Sequence, residues 1–176
     1  MTTLKADIEQ SQNETHSKDI EMMRLAMEQA KLAALDGEVP VGAVLVLDGE
    51  IIGTGYNQNI IRLDPSAHAE MLAIRAGAEK IGNYRLLNST LYVTLEPCSM
   101  CAGLLVHSRI SRLVIGAMDQ KTGACGSLMN IISDPRLNHQ VEIQTGVLGE
   151  ECSMMLSDFF ALRRAQKKAL KARVSD

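Results

Sequence analysis

The chain has 176 residues, 46% of them apolar, and a formal net charge of −3. That length suits one globular domain with its own core rather than two, and the composition excludes a disordered or fibrous chain. No run nears the roughly 20 continuous apolar residues of a membrane helix. The opening "MTTLKADIEQSQNETHSKD" is polar with no apolar signal segment, so a cytoplasmic protein is expected.

Residues 1–17 offer little to bury and are expected to form a flexible N-terminal extension to a single domain over 18–173. Ser17 or Asp19 can cap a first helix running to about Leu35, with Ile20, Met23, Met27, Ala30 and Ala34 on one apolar face. Gly37 and Pro40 in "GEVP" end it. "VGAVLVL" and "EIIGTGY" read as strands joined by a tight Asp48–Gly49 turn. The loop "NQNIIRLDPSA" leads to a helix over about 68–80, "STLYVTLE" forms a third strand, and "PCSMCAGLLVHS" a short helix. "RISRLVIGA" is a fourth strand and the Gly-rich "MDQKTGACGS" an exposed loop. A short helical segment and a strand in "VEIQTGVL" follow, and a long helix closes the chain from about Gly149 to Ala172. Strands alternating with helices point to an α/β fold in which helices cover a sheet.

Three side chains suit zinc: the His68 imidazole and the Cys98 and Cys101 thiolates. The C-x2-C spacing lets one turn grip one ion, and a helix start favours anionic sulfur. Pro97 fits the first helical turn, which has no use for its missing N–H. His68 and Glu70 stand two apart, so they do not share a mid-helix face. Imidazole on the metal with carboxylate beside an open fourth position explains both, because zinc lowers the pKa of a bound water to roughly 7 and a carboxylate can take its proton. Taken singly, the pieces have plainer readings. A C-x2-C pair also fits redox chemistry, structural zinc or packed thiols, and a lone His or Glu also fits a structural bond, a cap or a solvated charge. Cys125 and Cys152 lack motif spacing and read as plain buried or loop thiols.

With "HAE" at 68–70 and "PCSMC" at 97–101, the chain resembles the zinc-dependent cytidine and deoxycytidylate deaminase superfamily, whose signature is H-x-E with P-C-x-x-C. "EVPVGAVLV", "GYN", "TLYVTLEPCSMCAG", "GAMDQKTGACGS", "LNHQVEI" and "MMLSDFFALRR" resemble its bacterial branch acting on adenosine in tRNA, over about residues 20–170. The resemblance implies a cytidine-deaminase-like three-layer fold with a mixed five-stranded sheet flanked by helices. It implies a homodimer with one Zn2+ per subunit on His68, Cys98 and Cys101, and Glu70 as the proton shuttle. It also implies that Asn57 bonds the target nucleoside, that the Ala69 N–H contacts the purine, and that Glu38, Val39 and Pro40 wall the pocket with Val39 beside the base. Asp119 is carried over as a substrate-facing loop residue, and Phe160, Arg163 and Arg164 as RNA contacts. Asn57 as a turn former, Asp119 in a solvated turn and the Phe pair as core remain open alternatives. Met118 departs from the Arg that the family often carries there, at one possible phosphate contact.

The implied reaction is hydrolytic conversion of the wobble adenosine of a tRNA anticodon loop to inosine, with release of ammonia. No nucleotide cofactor and no membrane partner are expected. Charge distribution fits a polyanionic partner: residues 1–156 hold 12 basic and 19 acidic side chains, whereas residues 157–176 hold six and two. A deaminase of a free base or nucleotide shares the metal device. So does a noncatalytic RNA-binding protein whose zinc is closed by Cys125 or Cys152.

Overall fold

The computed structural model describes residues 2–174, and the side chains of residues 13–172. The elements in chain order are α1 (Thr2–Leu35), β1 (Gly42–Leu47), β2 (Glu50–Tyr56), α2 (Asn59–Arg62) and α3 (Ala69–Ile81). After them come β3 (Thr90–Leu95), α4 (Ser99–Ser108), β4 (Arg112–Ala117), β5 (Glu142–Thr145) and α5 (Gly149–Val174). The strands form one mixed sheet in the order β2-β1-β3-β4-β5. Its first two pairings are antiparallel and its last two parallel.

Strand side chains alternate between faces, and both faces are apolar. Leu45, Leu91, Val93, Leu113 and Ile115 meet α3 and α4 on one side. Val44, Val46, Tyr92 and Val114 meet α1 and α5 on the other. The result is the expected three-layer arrangement. Asp48 (φ 50°) and Gly49 (φ 83°) form the turn joining β1 to β2, with the positive φ at both positions that a two-residue hairpin of this hand requires.

α3 lies unusually close to β2. A Cβ on Gly55 would come 2.3 Å from the Ala69 carbonyl oxygen and 2.7 Å from the Ala73 nitrogen. On Gly53 it would come 2.2 Å from the Ala73 carbonyl oxygen. The two glycines let the helix backbone rest on the strand and fix the height of the α3 N-terminus.

Several expectations are corrected. α1 starts at Thr2, well before Ser17 or Asp19; no Pro or Gly interrupts residues 2–35, so no helix breaker marks a later start. Of the expected extension over 1–17, Met1 and the side chains of residues 2–12 lie outside the described residues. Asp19 is no cap. It is 3% exposed and accepts a two-pronged bond from Arg112, Nη1 to Oδ1 and Nη2 to Oδ2, both at 2.7 Å, plus the Tyr92 hydroxyl at 3.1 Å. On the apolar face of α1, Ala33 is buried and Ala34 exposed.

"NQNIIRLDPSA" holds the one-turn helix α2, whose backbone N–H groups at Ile60 and Ile61 donate to Glu38 Oε1 at 2.6 and 3.0 Å. The short helix expected between the Gly-rich loop and β5 is absent: residues 118–141 make turns and isolated bridges. Gly126 (φ 142°) and Pro135 both work against a continuous helix there.

Candidate active site

Two helices begin at the same place. His68 is the N-cap of α3 (φ −78°, ψ 154°) and Cys98 the N-cap of α4 (φ −72°, ψ 174°). Both were expected just inside their helices; their extended backbone puts them one position earlier, with Pro97 ahead of the cap. Cys101, fully buried, lies in the first turn of α4.

His68 Nδ1 stands 3.7 Å from Cys98 Sγ and 3.6 Å from Cys101 Sγ. Zinc bonds of roughly 2.0–2.1 Å to nitrogen and 2.3 Å to sulfur at a tetrahedral angle imply N···S separations of about 3.6 Å. The three donors are therefore already spaced for one ion. Among the described residues they are the one group of three or more His, Cys, Asp or Glu donors so gathered. Neither Cys125 nor Cys152 joins them; both are free, buried thiols.

Hydrogen bonds from Cys101 and His68 bring the Cys98 thiol down to about 3, while Cys101, the donor in that pair, is held above its ordinary value. The group is thus arranged to carry negative charge on sulfur, which the helix start also favours.

Glu70 borders the same cavity, of about 320 Å³, but is not among the clustered donors. It is 3% exposed, and burial pushes its carboxyl up. A carboxyl so placed holds a proton more readily than a solvated one, as an acid–base group working near neutrality requires.

The remaining site candidates divide between this cavity and its surroundings. Val39, Asn57 and Asp119 border it together with Val41, Leu95 and Thr122. Asn57 Oδ1 accepts the Ala69 N–H at 2.9 Å. That N–H, expected to meet the purine, is thus engaged within the chain, and Asn57 Nδ2 is left as the donor. Asp119 accepts from the Lys121 N–H at 2.8 Å and from the Thr122 hydroxyl at 2.6 Å. Burial works to raise its carboxyl, but these bonds hold it below the ordinary carboxylate value.

Phe160, 44% exposed, lines an adjoining groove that shares Val39, Leu95, Asp119 and Thr122 with the cavity. Pro40 does not wall the cavity. It turns to a separate groove between α1 and α5, with Phe159 and Arg163. Arg163 sits 6.0 Å from the Phe159 ring, and Arg164 is exposed on α5.

Sequence reasoning gave Glu38 to the pocket wall and missed a second buried carboxylate. Glu38 does not border the cavity but caps α2, and Glu96, between β3 and Pro97, gathers the loop after β4. The available signal for Glu96 was an acidic residue ending an apolar strand, "TLYVTLE", directly before "PC".

Residues 16–117 match the family model of the cytidine and deoxycytidylate deaminase zinc-binding region. The chain is 59% identical over 155 residues to a tRNA-specific adenosine deaminase of Haemophilus influenzae, covering 88% of this chain and 90% of that one. It is 49% identical over 154 residues to one of Bacillus subtilis, covering 88% and 96%. A structure described for A-to-I editing by tRNA deaminases at the wobble position superposes with a TM-score of 0.75 at 42% identity, covering 77% of this chain and 99% of that one. A guanine deaminase of Nitrosomonas europaea, at 23% identity and TM-score 0.70, covers 81% and 84% and shares the fold. With its H-x-E and P-C-x-x-C residues gathered at one cavity, the chain belongs to the cytidine and deoxycytidylate deaminase zinc-binding family.

Proposed function

We propose that the protein is a tRNA-specific adenosine deaminase that hydrolyses the wobble adenosine of an anticodon loop to inosine and releases ammonia. The observation that carries the reaction is the three-donor cluster with a buried, separate Glu70 in one cavity. His68, Cys98 and Cys101 would hold zinc, which would supply the acidification of a water to a pKa of roughly 7. Glu70 takes the proton of the attacking water and passes protons to purine N1 and to the departing amine. Asn57 Nδ2 is the donor available to orient the base, its Oδ1 being held by Ala69. Val39 and Leu95 supply apolar wall to the cavity.

Two features support RNA as the carrier of the base. Both bacterial relatives described above act, by name, on tRNA. Beyond the cavity, residues 161–172 of α5 are exposed and bear Arg163, Arg164, Lys167, Lys168 and Lys171. A basic helix reaching past Phe160 suits phosphates flanking an unstacked base. No helix among the described residues is long and apolar enough to cross a membrane. Cytoplasmic location and a homodimer with sites near the subunit interface complete the reading.

The test supplies an anticodon stem-loop transcript with adenosine at the wobble position, beside free adenine, adenosine, cytosine, deoxycytidylate and guanine. Inosine forming in the transcript is the expected result. Turnover confined to the free compounds would exclude a tRNA substrate, and none with any compound would leave zinc as a structural ion.

A further inference from the structure

Glu96 is 2% exposed and stands two residues before the donor Cys98. Its side chain faces the loop that follows β4. Oε1 accepts the Cys125 N–H at 2.9 Å and the Ser127 N–H at 3.0 Å. Oε2 accepts the Asp119 N–H at 2.9 Å and the Ser127 hydroxyl. Four donors occupy about the four lone-pair sites that a carboxylate offers. Glu96 is therefore spent on the loop and has no capacity left for proton transfer.

The loop is shaped around this carboxylate. A Cβ on Gly123 would lie 2.3 Å from the Glu96 carboxyl, so a side chain there would evict it. The same loop bonds the chain entering α4, through the Ala124 N–H to Pro97 O at 2.8 Å. Asp119 and Thr122, at its start, border the cavity that holds His68 and Glu70.

We propose that Glu96 is a positioning residue: it fixes the Asp119–Thr122 wall of the substrate cavity against the metal-bearing turn, and so sets how tightly substrate is held. This rests on the deaminase reading above. The role needs a carboxylate. Glutamine can keep its oxygen toward Cys125 and Ser127, but its amide then meets the Asp119 N–H, donor against donor. The Ser127 hydroxyl can rotate to accept that amide; the Asp119 N–H cannot. Flipping the amide sets it against two backbone donors instead of one. Glu96→Gln therefore releases Asp119 first, with little change of volume.

The experiment compares wild type with Glu96→Gln in the zinc-loaded, full-length protein by three readouts: zinc per chain, backbone hydrogen exchange over 118–127, and steady-state kinetics on the anticodon stem-loop. Zinc should stay at one per chain. Exchange over 118–127 should rise about tenfold or more while that over 68–72 holds. KM should rise about tenfold with kcat within about threefold, as expected when a substrate-binding wall is loosened. Glu96→Asp, which keeps the charge, should recover part of the KM change. Unchanged exchange, an unchanged KM with a fallen kcat, or zinc lost in proportion to activity would each overturn the proposal. If Glu96→Gln does not fold, Ser127→Ala removes one donor alone and must shift exchange and KM in the same direction for the proposal to stand. A wild-type protein inactive on the stem-loop would remove the deaminase reading, while the exchange comparison would still decide whether Glu96 holds the loop.

Discussion

Gly55→Ala tests whether the seat of α3 on β2 sets the geometry of the metal donors. The added Cβ would lie 2.3 Å from the Ala69 carbonyl oxygen, 2.7 Å from the Ala73 nitrogen and 2.9 Å from Leu72 Cβ. Ordinary contact needs about 1 Å more, and two of these atoms are helix backbone that cannot rotate away. The first turn of α3 must lift, taking His68 and Glu70 with it. Overpacking of this kind costs about 1–3 kcal/mol, which in a chain of this size lowers Tm by roughly 3–10 °C. A displacement near 1 Å at the reacting groups costs about 100-fold in rate. Thermal unfolding, zinc per chain and kcat/KM on the stem-loop measure the three effects. Gly103→Ala is the control: a Cβ there meets nothing within 4 Å, and alanine in a helix interior gains about 0.5–1 kcal/mol. Wild-type zinc, Tm and kcat/KM in Gly55→Ala would refute the idea that this glycine fixes the height of His68.

Glu70→Ala should keep one zinc per chain and lose deamination by at least about 100-fold; wild-type turnover would take the proton shuttle away from Glu70. Asp19→Ala leaves Arg112 and Tyr92 without their shared acceptor. Denaturant unfolding should show a loss of about 2–3 kcal/mol, the partial exposure of Arg112 moderating a buried-pair penalty. Burial first, then the Asp19 charge, pushes the Tyr92 phenol up to about 12 from 10. The folded state thus binds that proton more tightly than the unfolded state, and the stability gained is intact below pH 10 and lost as pH rises through 10 to about 12. Tyr92→Phe should flatten the fall of unfolding free energy in that window, and an unchanged slope would exclude this origin. Replacing Arg163, Arg164, Lys167 and Lys168 by Gln should weaken stem-loop binding and reduce its salt dependence by up to about three units of log–log slope; an unchanged slope would mean that these side chains do not contact phosphates.

The donor set was legible because it is written in short, chemically unusual motifs, and the sheet because its strands are apolar runs bounded by turn residues. Helix starts were less so. Nothing local distinguishes Asp19 as a cap from Asp19 as the partner of Arg112, which is 93 residues away in sequence. Pro40 reads as a pocket wall beside Val39, yet consecutive residues in extended chain face opposite ways, and here they serve different grooves. In a one-dimensional reading Glu96 looks like a surface charge and Glu38 like part of a pocket wall. Their burial is tolerable because backbone N–H groups converge on them, and that convergence exists only once the loops have folded.

The His68–Cys98 span carries a mechanical meaning of its own. His68 belongs to the antiparallel β1–β2–α3 half of the sheet, whereas Cys98 and Cys101 belong to the parallel β3–α4–β4 half, and the halves meet at the β1–β3 pairing. An ion shared between them acts as a rivet across that seam, closing a segment of 30 residues. By the chain-entropy argument used for covalent cross-links, a closure of this length contributes on the order of 3–4 kcal/mol. Resistance to chelators therefore gauges how firmly the two halves are joined, and a substitution that weakens the seam far from the cavity acts on catalysis by loosening the rivet.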